Sequence, residues 1–128
     1  MKILVVDDNE FLLNLIQTTL EDEGIEVMSA KDGLDGYSAY INFKPDIVIT
    51  DIQMPRKNGL EMMEHIRVHD PMIKTIYMSG DINPFLSSLK EEEKMYPVNF
   101  FEKPFRLKSL MEALSNPSMS YRGEASPQ

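Results

Sequence analysis

Five short apolar runs, each followed by a longer stretch of helical period, constrain the fold of this 128-residue chain more than any other feature. KILVV (2–6), IEVMSA (25–30), the run at 46–50, KTIYMS (74–79) and VNFF (98–101) read as strands. Most are apolar without the alternation expected of a sheet with one wet face. They suit a parallel sheet covered on both sides. Helical stretches lie between them. Asn9 or Asp8 can cap a first helix in which Leu13, Ile16 and Leu20 share a face, and Gly24 sits where a C-terminal cap glycine belongs. A second helix is expected over 34–43, stopped by Pro45, after a turn at Asp32-Gly33. A third opens at Gly59 and runs to His69 with Leu60, Met63 and Ile66 inward. Pro84 starts a fourth that runs to Met95 and carries the charge run KEEEK (90–94) as a solvated face. The last covers 107–114. Five strand–helix units predict an α/β fold, a doubly wound five-stranded parallel sheet with five helices.

The length suits one domain, with the ordered unit over 1–115. Residues 116–128, rich in Pro, Ser and Gly, read as a disordered tail or a truncated linker. No apolar run approaches the roughly 20 residues of a membrane span, and the start MKILVVDD turns acidic too soon for a signal peptide. With no cysteine, disulfides and thiolate metal sites are excluded, and a reducing cytoplasmic setting fits. Thirteen basic against 21 acidic residues give a net charge of −8, which the phosphate backbone repels. Direct nucleic-acid binding by this chain is not expected.

In a doubly wound sheet, ligands sit outside the carboxyl ends of the strands. Those ends are polar here: Asp7-Asp8 after the first strand, Asp51 after the third, Ser79 after the fourth and Lys103 after the fifth. Three carboxylates converging in one small pocket repel each other unless a cation offsets them. A hard divalent ion such as Mg²⁺ prefers such oxygen donors.

The segments LVVDDN (4–9), IVITDIQMPRKNG (47–59), MSG (78–80) and FFEKPF (100–105) together resemble the receiver domain of bacterial two-component response regulators, of the CheY-like kind. That resemblance implies a flavodoxin-like sheet of order 2-1-3-4-5. It makes Asp51 the phosphoacceptor, taking a phosphoryl group from a phosphohistidine of a sensor histidine kinase or a histidine phosphotransfer protein. Mg²⁺ would be held by Asp8, Asp51 and the backbone carbonyl of Gln53, with Asp7 acting through water. Lys103 and Ser79 would contact the phosphoryl oxygens, and Ser79 and Phe100 would form the conformational switch. The Lys103-Pro104 bond would be cis. The surface over 82–114, the fourth helix, fifth strand and fifth helix, would be read by a downstream protein partner. Phosphorylation-dependent homodimerisation is compatible with this pattern, and membrane binding is not implied.

Two other readings stand beside this one. The chain can be the receiver portion of a longer regulator with an output domain. It can also be a Mg²⁺-dependent phosphohydrolase working through an aspartyl phosphate, but such an enzyme wants a general acid two residues past the nucleophile. Gln53 occupies that position. The receiver reading makes the chain a phosphoacceptor and not a turnover enzyme.

Overall fold

The computed structural model describes residues 1–116. The tail expected over 116–128 lies, beyond Asn116, outside the described residues. Chain order is β1 (Lys2–Val6), α1 (Glu10–Asp22), β2 (Glu26–Ala30), α2 (Gly33–Phe43), β3 (Ile47–Asp51), α3 (Gly59–His69), β4 (Lys74–Ser79), a short 3-10 turn (Asn83–Phe85), α4 (Leu86–Met95), β5 (Val98–Glu102) and α5 (Leu107–Ala113). All strand pairs are parallel and the sheet order is β2-β1-β3-β4-β5. This is the expected architecture and strand order.

Successive side chains of a strand point to opposite faces, so the central strands feed two cores. Leu4, Val6, Val48 and Tyr77 pack with Tyr40 of α2, Met62, Met63 and Ile66 of α3, and Leu89 of α4. Ile3, Val5, Ile49 and Ile76 pack on the other side with Leu13, Ile16 and Leu20 of α1 and Leu110 of α5. The continuous apolar reading holds for β1, β3 and β4, which lie inside the sheet. It fails for β2. As an edge strand β2 alternates exposed and half-buried residues, and Met28 is exposed.

Local signals account for most boundaries. The Asn9 side chain caps α1 by accepting from the Leu12 N–H, and Gly24 takes the positive φ of 82° that follows the helix. Asn58 and Glu61 form a reciprocal capping box at the start of α3. Three expectations change. The inward face of α3 is Met62, Met63, Ile66 and Arg67, with Leu60 only half-buried. Pro84 lies in a 3-10 turn that begins at Asn83, and the α-helical part begins at Leu86. The run KEEEK is not wholly solvated: Glu92 turns inward to Arg67 and Tyr77.

The cap at Asp32 does more than turn the chain. Its side chain accepts from the Asp35 N–H, and Arg56 of the β3–α3 loop reaches it with Nε 3.1 Å from Oδ2. Gly33 donates its N–H to the Lys57 carbonyl at 3.0 Å. A Cβ on Gly33 would stand 2.2 Å from that same carbonyl oxygen, so only glycine permits the approach. The loop after Asp51 is thereby tied to the start of α2.

Candidate functional site

The parallel register brings the carboxyl ends of β1, β3, β4 and β5 to one edge of the sheet. Carboxylate oxygens of Asp7, Asp8 and Asp51 lie within 4.8 Å of one another. Asp7 is fully buried, Asp51 is nearly so, and Asp8 is exposed. Asp7 is committed on both oxygens: Oδ1 accepts the Asn9 N–H at 2.9 Å, and Oδ2 accepts from Lys103 Nζ at 3.1 Å. Lys103 stands farther from Asp51, 3.5 Å from Oδ2. The single ammonium therefore serves two buried carboxylates and sits nearer to Asp7 than to Asp51.

Asp51 ends β3, and the backbone directly after it is fixed. The Ile52 N–H donates to the Met78 carbonyl at 2.9 Å, and Gly59 donates its N–H to the Ile52 carbonyl at 2.8 Å. Thr50 adds a hydroxyl donation to the Asp51 carbonyl at 2.8 Å. A Cβ on Gly59 would lie 2.3 Å from the Asp51 carbonyl oxygen. The side chain is held as well, since Oδ1 accepts the Ile52 N–H at 3.0 Å. Oδ2 faces Lys103. Burial pushes the Asp51 carboxyl up to about 6; Lys103 opposes the rise, and Asp7 and Asp8 add to it. One lysine does not neutralise three carboxylates, and this site retains an excess of negative charge. Gln53 is exposed on the loop just past the fixed Ile52.

Ser79 is fully buried at the end of β4. Its hydroxyl donates to the Asp81 carbonyl at 2.8 Å and accepts the Asp81 N–H at 3.2 Å. Lys103 is anchored through its backbone, donating its N–H to the Ser79 carbonyl at 2.8 Å, and the Lys103-Pro104 bond is cis. Phe100 is buried in the core that also holds Ile82 and Leu89. The residues singled out in the sequence thus share one edge, except that Phe100 lies inside the core behind it.

Residues 3–115 match the response regulator receiver domain. The chain belongs to this family. A chemotaxis protein CheY from Listeria monocytogenes is 36% identical over 117 residues, covering 89% of this chain and 95% of that protein. The sporulation initiation phosphotransferase F of Bacillus subtilis is 27% identical over 113 residues, covering 88% and 90%. Among solved structures, the response regulator TrrA from Thermotoga maritima in complex with Mg²⁺ and BeF superposes with a TM-score of 0.77 at 28% identity. It covers 91% of this chain and 97% of that one. The receiver domain described here is accordingly a module of phosphorylation-dependent signalling. No helix among its described residues is long and apolar enough to cross a membrane.

Four contributors to the receiver edge escape a reading of the sequence. Thr50 and Gly59 act on Asp51 through its backbone carbonyl. Arg56 acts through a left-handed backbone, at φ 71°, and a tie to Asp32. Glu102, which extends β5 by one residue beyond the expected strand, turns its carboxylate inward. Only Glu102 carried a signal: a charged residue at the end of a strand dominated by Val98, Phe100 and Phe101, as Asp51 ends the strand of Ile47, Val48 and Ile49.

Proposed function

We propose that Asp51 accepts the phosphoryl group in this receiver domain. The observation that carries this is the position of the Asp51 carboxylate at a fixed strand end among Asp7, Asp8 and Lys103. The carboxylate oxygen would attack the phosphorus of a phosphohistidine. An O–P bond forms, the P–N bond breaks, and its electron pair leaves on the imidazole, which takes up a proton. Phosphoryl transfer asks little covalent chemistry of its surroundings and depends on positioning and charge stabilisation.

Lys103 supplies one positive charge. Once Asp51 is esterified, its ammonium would turn from the Asp51 oxygen to a phosphoryl oxygen while keeping Asp7. The Ser79 hydroxyl would donate to a second phosphoryl oxygen. The donor set of carboxylate oxygens with residual negative charge fits Mg²⁺, with Asp8, Asp51 and the Gln53 carbonyl as direct ligands and Asp7 acting through water. Bound there, the ion would offset charge on the carboxylates and on the transferring group. Because both Asp7 oxygens already have partners, an indirect role suits it. Phe100, buried beside Ile82, would adjust as the Ser79 loop moves. The partners of this reading are a histidine kinase or phosphotransfer protein at the acidic edge and a downstream protein at the 82–114 surface. Gln53 offers no general acid, so the chain acts as an acceptor and not as a turnover phosphohydrolase. It would work in the cytoplasm, where phosphohistidine donors act.

Incubation with acetyl phosphate and Mg²⁺ tests the acceptor. Intact-mass measurement is expected to show one added phosphoryl group, lost in Asp51→Asn and strongly reduced by a chelator. Labelling that persists in Asp51→Asn at another residue overturns the assignment. Rapid multiple turnover of a phosphomonoester overturns the non-enzymatic reading.

A further inference from the structure

The loop that carries Ser79 is held from two sides through a single peptide plane. The carbonyl of Asp81 accepts the Ser79 hydroxyl at 2.8 Å, and the N–H of Ile82, the other end of the same peptide, donates to Glu102 Oε2 at 3.0 Å. In a trans peptide the two groups point in opposite directions and cannot turn independently. The Asp81–Ile82 peptide therefore bridges Ser79 and Glu102.

Glu102 is a charged residue closing β5, an edge strand whose residues are all buried. It pairs in register with Ser79, and its side chain is almost fully buried. Its second carboxylate oxygen, Oε1, is buried without a partner among the described residues. A buried carboxylate with few donors holds the ones it has strongly, because losing one leaves charge unsolvated. A serine hydroxyl has one proton to donate. While it goes to the Asp81 carbonyl, it cannot go to a phosphoryl oxygen on Asp51.

We infer that Glu102 is a positioning residue that holds the Asp81–Ile82 peptide in the orientation that keeps the Ser79 hydroxyl away from the phosphoryl site. The inference rests on the acceptor reading of Asp51 and adds a restraint to it. Releasing Ser79 turns the peptide and takes the Ile82 N–H from Glu102. Glu102 thus weights the population toward the unphosphorylated conformation. Any ligand that needs the other conformation binds more weakly by the fraction in which it is populated.

Beryllofluoride with Mg²⁺, a phosphoryl mimic, provides the test, with affinity read by titration of the full chain. Glu102→Met removes the acceptor at similar size, and it is expected to bind the mimic about tenfold more tightly, the scale of one hydrogen bond to a charged group. Glu102→Gln keeps an acceptor oxygen and is expected to stay close to the parent affinity. On a Ser79→Ala background the gain from Glu102→Met should vanish. A residue that merely supported the fold would weaken binding when removed. In the unaltered chain, the Ile82 amide proton is expected to move upfield on saturation with the mimic, as it leaves a carboxylate. Unchanged or weaker binding in Glu102→Met, or an Ile82 amide that does not shift, overturns the inference. If the unaltered chain does not bind the mimic at all, the acceptor reading fails first. If it binds and the variants do not differ, only the role of Glu102 fails.

Discussion

Two clusters of largely buried charge lie in this receiver domain, and they are built on opposite principles. At the carboxyl edge, Asp7, Asp8 and Asp51 face one Lys103. Beside α4, Arg67 lies within hydrogen-bond reach of Glu92 at 2.7 Å, Thr75 at 3.1 Å and Tyr77 at 3.4 Å, while Tyr77 donates to Glu92 at 2.7 Å. The Arg67 guanidinium lies 4.3 Å from the centre of the Tyr96 ring. In the second cluster each charge meets its opposite, and burial pushes the Tyr77 phenol well above its ordinary value, so it remains a donor. In the first, burial and neighbouring carboxylates make the ionised state of Asp51 unfavourable. The balanced cluster fastens α4 to α3 and β4. The unbalanced one keeps an excess of negative charge, which the proposed uptake of a cation would offset.

The largest effect that would sharpen this contrast is expected from Arg67→Ala. Removing one partner of a buried pair leaves Glu92 uncompensated, at a cost of about 3 kcal/mol in denaturant unfolding, while phosphoryl labelling of Asp51 persists. A loss of well under 1 kcal/mol would show that the second cluster is as slack as a surface pair.

Asp51→Asn should act in the opposite direction. In metal-free buffer at pH 7 it is expected to stabilise the fold by about 2 kcal/mol: a rise of about two units is worth about 3 kcal/mol, and the group's remaining contact with solvent screens part of it. The sign follows from burial raising the carboxyl. The folded chain holds the Asp51 proton up to about pH 6, whereas the unfolded chain releases it near pH 4. The stability drawn from this group is full below about pH 4 and lost as the pH rises to about 6. The gap between Asp51→Asn and the parent should open over that window, stay constant above it, and shrink when Mg²⁺ is added. A gap that does not vary with pH would remove the basis for calling the edge unbalanced.

The smallest effect is expected from Tyr77→Phe, which deletes one donor to Glu92 while Arg67 still pairs with it. A loss of about 1 kcal/mol in thermal unfolding is anticipated, with unchanged labelling at Asp51. A loss rivalling that of Arg67→Ala would mean that the phenol, and not the ion pair, fastens α4.

The two clusters also differ in how far they could be read from the chain. Asp7, Asp8, Asp51, Ser79 and Lys103 each end or follow an apolar run, so strand periodicity alone delivers them to one edge. The second cluster gave no such sign. Arg67 is a charged residue between Ile66 and Val68 of a helix, which by itself names no partner, and Glu92 in the middle of KEEEK reads as solvent-facing. Their meeting depends on how α3 and α4 are rotated against β4. The α3 face shows the same limit: Leu60, Met63 and Ile66 have a sound helical spacing, yet Met62 is the more deeply buried and Leu60 packs only at the margin of the same core.

Element order, the two-sided burial of β1, β3 and β4, and the convergence of acidic residues at one edge are properties of this sequence by itself. They follow from side-chain period and strand polarity, which are local. The tertiary structure decided the allocation of partners. Lys103 sits closer to Asp7 than to Asp51, and Ser79 donates to Asp81. Glu102 grips the Ile82 amide, and Arg67 finds Glu92 across 25 residues of chain. Each of those choices is a competition among donors and acceptors within a few ångströms, and only the packed chain sets such distances.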